Sequence, residues 1–141
     1  MGIDFGERRV GVAVSDPTGR LATPLTTLTR RAGQRLPLAA LERLAREQEV
    51  TGVVCGLPLD LAGEETEWSR AVRTAGQSLG ARLGLPVAFQ DERMTSVRVE
   101  RSLRGSGLPR HARQDRERVD AAAAALILQL WLDRNAQVGG D

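Results

Sequence analysis

The sequence contains no lysine and no tyrosine, a single cysteine and a single histidine. One cysteine, Cys55, excludes a disulfide within the chain and argues against a zinc site. It lies in an apolar run, so we interpret it as a buried small side chain in a reducing compartment. No segment approaches the roughly 20 apolar residues of a membrane span, and we see no signal peptide. These absences predict a protein of a reducing compartment without a membrane association.

Aromatic residues are also scarce, at 3% of the chain. We expect Trp68, Phe89 and Trp131 to pack in the core or at an interface, which leaves few rings for base stacking. Sequence-specific recognition of single strands therefore lacks support. Recognition of a nucleic-acid backbone and its shape is the safer expectation.

The basic residues are all arginine, and they are unevenly distributed. Between Arg93 and Arg118, eight arginines face three acids, a net charge of +5 within an overall +2. Because arginine binds phosphate through two parallel hydrogen bonds, this segment predicts a phosphate-binding patch. A solvated surface in an arginine-rich protein is the alternative, and His111 is either a contact in this patch or a surface residue. The candidate nucleic-acid contacts are Arg8, Arg9, Arg93, Arg110, Arg113, Arg116 and Arg118.

The first fifteen residues predict a β-hairpin that carries one carboxylate. Bulky apolar residues alternate with small ones on both sides of a turn at 6–9, which is the period of a strand. One face of the hairpin is apolar, and the other carries Asp4 among small residues. An ionised carboxylate there is costly unless a cation, a partner charge or hydrogen bonds compensate for it. A divalent metal ion would do so.

The remaining pattern predicts a mixed sheet with helices on its faces. The segment 21–29 suits a third antiparallel strand at an edge, because Pro24 cannot donate a backbone hydrogen bond. Two later strands should be parallel, giving three antiparallel strands followed by two parallel ones in a single domain, 1–137. The predicted later strands are 50–56 and 85–90, the predicted helices are 37–48, 64–83, 93–104 and 117–134, a flexible segment is 105–109, and the disordered tail is 138–141.

Three acidic positions could meet in such a sheet. Ligands of open α/β sheets bind beyond the carboxyl ends of parallel strands, where Asp91 and Glu92 follow the strand 85–90. Asp120 lies near the predicted start of the last helix, and both positions could converge with Asp4. The alternatives are a polar loop for the first pair and a helix-start preference for Asp120. Two Mg²⁺ ions about 4 Å apart, held by three or four carboxylates, can activate a water for phosphodiester cleavage.

Four segments in order resemble the YqgF family, also called RuvX, of Holliday junction resolvases and pre-16S rRNA nucleases. They are GIDFGERRVGVAVSD at 2–16, GLPL at 56–59, DERMTS at 91–96 and VDAAAAALILQLWL at 119–132. The resemblance implies an RNase H-like fold and a cytoplasmic location. It also implies a nuclease that uses Mg²⁺ or Mn²⁺ and processes the 5′ end of pre-16S rRNA.

The resemblance also implies roles for individual residues. Asp4, Glu92 and Asp120 take the acidic positions, as catalytic and metal-binding residues. Related resolvases generally use four acids, and Asp91 is our candidate for the fourth metal ligand. The family often has lysine before its final aspartate, where this chain keeps the charge with Arg113, Arg116 and Arg118.

Several functions stay open at this point. The first is an RNA nuclease, with resolution of branched DNA as the nearest alternative and single-stranded DNA as a further substrate. A resolvase should act as a homodimer, whereas an rRNA-processing enzyme can be a monomer. The second is an ATP-binding module, because residues 2–6 also resemble the first phosphate loop of actin-like ATPases. That class needs two such domains and small hydroxyl residues at 7–9. The third is an inactive protein that binds nucleic acid through its arginines.

Overall fold

The computed structural model describes residues 1–30, 35–92 and 113–138, with the side chains of 119–136 in the last helix. The predicted helix 93–104, the flexible segment 105–109, His111 and the end of the tail at 139–141 lie outside these residues. The elements in chain order are β1 (Gly2–Phe5), β2 (Arg9–Ser15), β3 (Ala22–Thr29), α1 (Leu38–Glu47), β4 (Val53–Leu57), α2 (Glu67–Leu83), β5 (Val87–Asp91) and α3 (Arg113–Val138).

The five strands form one mixed sheet in the order β3-β2-β1-β4-β5. The β1–β2 and β2–β3 pairs are antiparallel, whereas β1–β4 and β4–β5 are parallel. The predicted architecture of three antiparallel strands followed by two parallel ones is therefore confirmed. Pro24 lies in an edge strand, as expected, and the register of β2 against β3 shifts between Val12 and Ala13.

The two faces of the sheet have different cores. On one face, α1 and α2 cover large apolar side chains of the sheet that include Ile3, Phe5 and Val12. On the other face, the alanine-rich side of α3 packs on the strands through residues such as Ala124 and Leu128. Small residues in both the strands and the helix let α3 approach the sheet closely. This second face carries the candidate site.

Several boundaries differ from the sequence predictions. Helix α2 begins at Glu67 rather than at residue 64, because Thr66 caps it. The Thr66 hydroxyl accepts a hydrogen bond from the Ser69 amide, and the Ser69 hydroxyl accepts one from the Thr66 amide. This reciprocal pair satisfies two backbone donors at the helix start. Helix α3 begins at Arg113 and includes Val138, which we predicted within the tail.

Helices in the described part of the chain are all too short or too polar to cross a membrane. The aromatic residues pack as predicted. Trp68 and Phe89 contact the core beneath α1 and α2, and Trp131 packs against the core beneath α3.

Cys55 is fully buried in β4, and burial raises the pKa of its thiol to about 12. Since the thiolate is the reactive form, the folded protein should not react with a thiol reagent at pH 8. We expect one thiol per chain to be modified only in denaturant, measured by the colour released from a disulfide reagent. Rapid modification of the native protein would contradict this placement of β4.

Candidate active site

Asp4 occupies the centre of the sheet, in the middle strand β1. Its Cα lies opposite Gly11 of β2, and only 3% of the residue is exposed. On its other side, Ile3 pairs with Cys55 of β4, so the next step along both strands places Asp4 beside Gly56. Asp4 is therefore the middle position of a row across three neighbouring strands, with a glycine on each side.

Asp120 lies over the first of these glycines. A Cβ atom built on Gly11 would lie 2.0 Å from the Asp120 carbonyl oxygen, so α3 rests directly on the β2 backbone there. Asp120 is buried and lies about two turns into α3, which begins at Arg113. The alternative that Asp120 only favours a helix start is therefore wrong.

Glu92 lies over the second glycine of the row. A Cβ atom on Gly56 would lie 2.8 Å from the Glu92 Oε2 atom and 2.6 Å from Cδ1 of Ile127 in α3. Glu92 follows β5 directly, and its amide donates to the Leu57 carbonyl oxygen at 3.5 Å. The residue is 4% exposed. The absence of a side chain at Gly56 thus makes room both for α3 and for the Glu92 carboxylate.

The three predicted acids consequently lie on the α3 face of the sheet, at one level of the strands. Neighbouring strands are about 4.8 Å apart, so the row from Gly11 to Gly56 spans about 10 Å. Within the described ranges, no group of three acidic, histidine or cysteine side chains is compact enough to hold one ion. The acids are neighbours, but their side chains do not already form a three-ligand cage.

Arg9 was predicted to contact nucleic acid, and the structure gives it a contact inside the site. Its Nε atom donates to Oδ2 of Asp120 at 2.5 Å, with 28% and 10% of the two side chains exposed. Arg9 and Gly11 are two residues apart in β2, so they face the same side of the sheet. The sequence analysis missed this ion pair, because its partner is 111 residues away.

Asp91 lies on the α2 side of the sheet, opposite to the face on which α3 packs. Phe89 and Val87 contact Gly76 and Gly80 of α2, and Asp91 continues that alternation as the last residue of the strand. Glu92 is instead on the α3 side. The role of Asp91 as a fourth metal ligand stays a prediction, and the alternation of side chains along β5 does not favour it.

The predicted nucleic-acid contacts are described only in part. Arg8 is exposed in the turn between β1 and β2. Three further arginines precede Asp120 on the first turns of α3, but their side chains lie outside the described part of the chain. Two more predicted contacts precede α3 in the sequence, and these residues lie wholly outside the described part. These are Arg113, Arg116 and Arg118 in the helix, and Arg93 and Arg110 before it.

The strand order and the placement of the helices define an RNase H-like fold. The fold is shared with RuvC of Thermus thermophilus, which matches at a TM-score of 0.56 and 17% identity over 98% of this chain and 95% of that one. A second RuvC structure from this bacterium, in complex with a Holliday junction substrate, matches at a TM-score of 0.57 and 16% identity, covering 98% and 94% of the two chains.

The sequence assigns the chain more narrowly. Residues 1–134 match the family model RuvX, described as Holliday junction resolvase, and the chain belongs to this family. A relative from Anaeromyxobacter dehalogenans (strain 2CP-C) is 46% identical over 136 residues, covering 96% of this chain and 97% of its own. One from Thermosynechococcus vestitus is 41% identical over 137 residues, covering 97% and 89%. Both carry the name "Putative pre-16S rRNA nuclease". The predicted family and fold are confirmed.

Proposed function

We propose that this chain is a divalent-metal-dependent nuclease in which Asp4, Glu92 and Asp120 form the catalytic acidic group. The observation that carries the proposal is the burial of three carboxylates, from distant parts of the chain, on one face of the sheet. Burying several like charges together is costly unless a cation shares the site.

The donor set suits Mg²⁺ or Mn²⁺. Carboxylate oxygens are the hard ligands that these ions prefer, and Mg²⁺ usually takes one or two carboxylates together with waters and substrate phosphates. A compact three-ligand cage is therefore not needed before substrate binds. The missing side chain of Gly56 leaves the space in which the Glu92 carboxylate reaches the row.

Each acid has a distinct part in this proposal. Asp4 lies on the central strand, where its backbone is fixed on both sides, so it provides the least mobile ligand. Glu92 and Asp120 flank it and would adjust to the ion and to the phosphate. The cation, when bound, supplies the electrophilic activation of water and the stabilisation of the leaving oxygen. Arg8 and the arginines on the first turns of α3 would hold the substrate backbone.

We favour pre-16S rRNA as the substrate, because relatives matched over most of their own length carry that name. Within this proposal, cleavage takes place at the 5′ end of the precursor, in the cytoplasm. Branched DNA is the second candidate. The family description and the RuvC complex with a Holliday junction both favour it.

A cleavage assay on both substrates tests this function. Purified protein is incubated with a 5′-extended 16S rRNA precursor and with a four-way DNA junction, each with Mg²⁺, Mn²⁺ or a chelator. We expect metal-dependent cleavage, with the RNA cut faster than the junction. Faster cleavage of the junction would replace RNA by branched DNA as the substrate. Cleavage that persists with the chelator would contradict the metal-dependent mechanism.

The arginines that precede Asp120 should act in binding and not in the chemical step. Replacing Arg113 and Arg116 by alanine removes two candidate phosphate contacts. We expect weaker RNA binding and a slope of log affinity against log salt that is smaller by roughly 1 to 2. Fluorescence anisotropy over a salt series measures both. An unchanged slope would place these two side chains away from the RNA.

A further inference from the structure

The ion pair between Arg9 and Asp120 joins the start of β2 to a point about two turns into α3. The Arg9 backbone is held firmly, since its carbonyl oxygen accepts from the Gly6 amide at 2.9 Å and its Cα is paired with Thr29 in the sheet. Only the side chain is therefore able to move. It extends over the α3 face and places Nε 2.5 Å from an Asp120 carboxylate oxygen.

This guanidinium occupies a position where a cation is needed. Asp4, Glu92 and Asp120 together add three formal negative charges to a largely buried region. Like charges at such short range repel one another. The positive charge of Arg9 offsets this repulsion in the protein without metal.

Burial makes the pair stronger than a surface ion pair but still reversible. The Asp120 side chain is 10% exposed, so the contact is only weakly screened by water. The Arg9 side chain is 28% exposed, so the protein does not enclose it fully. Rotation of the arginine side chain alone can open the contact, without unfolding of β2 or α3.

We propose that Arg9 is a stand-in cation, which holds Asp120 in the metal-free protein and competes with the divalent ion for its carboxylate. This inference rests on the proposed metal-dependent function. Arg9 is here a positioning residue that acts through Asp120. If Arg9 competes in this way, the enzyme binds its metal more weakly than its acids alone would allow, and one of the three negative charges is offset in the metal-free site.

Mn²⁺ binding to the purified full chain tests the competition directly. Titration followed by calorimetry or by the paramagnetic resonance signal of free Mn²⁺ gives the Kd for wild type, R9Q, R9K and R8Q. We expect R9Q to bind Mn²⁺ roughly three- to tenfold more tightly, since a competing charged hydrogen bond has been removed. R9K keeps a positive charge and should lie between R9Q and wild type. R8Q removes the neighbouring exposed charge and serves as the matched control, with a change below about twofold.

Thermal unfolding without metal provides a second readout. The R9Q protein should have a lower Tm than wild type when no metal is present. Its Tm should rise more than that of wild type when Mn²⁺ is added, because tighter ligand binding stabilises the folded state more. If R9Q does not fold, R9K still tests the proposal. Tighter Mn²⁺ binding by R9K than by wild type would support the same competition.

The outcomes separate this inference from the proposed function. If wild type binds Mn²⁺ and R9Q binds it equally or more weakly, Arg9 does not compete with the ion and the stand-in role is wrong. If wild type shows no Mn²⁺ binding, the metal-dependent function fails and the stand-in role fails with it.

Discussion

The D4N variant should lose at least about 10³-fold in the rate of nucleic-acid cleavage, because the loss of an ionic ligand removes several kcal/mol of transition-state stabilisation. Asp4 is the central member of the acidic row and lies on the strand that is paired on both sides. Asparagine has nearly the same shape but carries no charge. The packing around β1 should therefore persist, and relief of charge repulsion should keep the variant at least as stable.

RNA binding should survive this substitution, since the phosphate contacts that we propose come from arginines and not from Asp4. We expect the Kd for the RNA precursor to change by less than about threefold. Single-turnover cleavage and anisotropy on the same preparations separate the two effects. D133N, at an exposed position further along α3, is the matched control and should cleave like wild type. Wild-type cleavage by D4N would remove the acidic group from the mechanism.

Local patterns were sufficient for most of the sheet. The alternation of bulky and small residues in the first fifteen residues predicts β1 and β2, and the structure pairs Ile3 with Val12 and Asp4 with Gly11. Pro24 predicts an edge strand for the same local reason, since its backbone cannot complete a ladder on both sides. In these segments the burial of one face and the backbone chemistry agree.

Contacts between distant segments were less accessible to sequence reasoning. The sequence analysis placed Asp4 among small residues, but it did not predict that α3 rests on one of them, Gly11. Helix α3 begins at Arg113 within the arginine-rich segment, earlier than the apolar pattern from residue 117 suggested. Hydrophobic periodicity cannot detect a polar first turn. Asp120 consequently belongs to the body of the helix.

The side of the sheet on which each acid lies could have been predicted from strand alternation. With β5 ending at Asp91, that residue belongs to the same face as Phe89, whereas Glu92 reaches the α3 side. The sequence-based end of the strand at residue 90 left both acids in a loop, where no face is defined. An error of one residue in a boundary was enough to hide this distinction.

The closest backbone contact on this face makes Gly11 the most sensitive glycine for site assembly. In G11A, the new Cβ atom would lie 2.0 Å from the Asp120 carbonyl oxygen and 2.5 Å from its carbonyl carbon. Both are backbone atoms in an intact helix, so no side-chain rotation relieves the overlap. Helix α3 must move away from β2, which costs about 3 kcal/mol of folding free energy by overpacking.

G52A is the matched control for this substitution. The nearest atom to its Cβ would be the Pro86 carbonyl oxygen at 3.7 Å, an ordinary contact. Both variants lose the same backbone freedom in the unfolded chain, so the difference between them isolates the steric effect on α3. Urea unfolding should give G52A a stability within about 1 kcal/mol of wild type. G11A should be far less stable, and its folded fraction should cleave more slowly because Asp120 moves with the helix. Equal stability of the two variants would show that α3 does not rest on Gly11, and the position of Asp120 beside Asp4 would have to be abandoned.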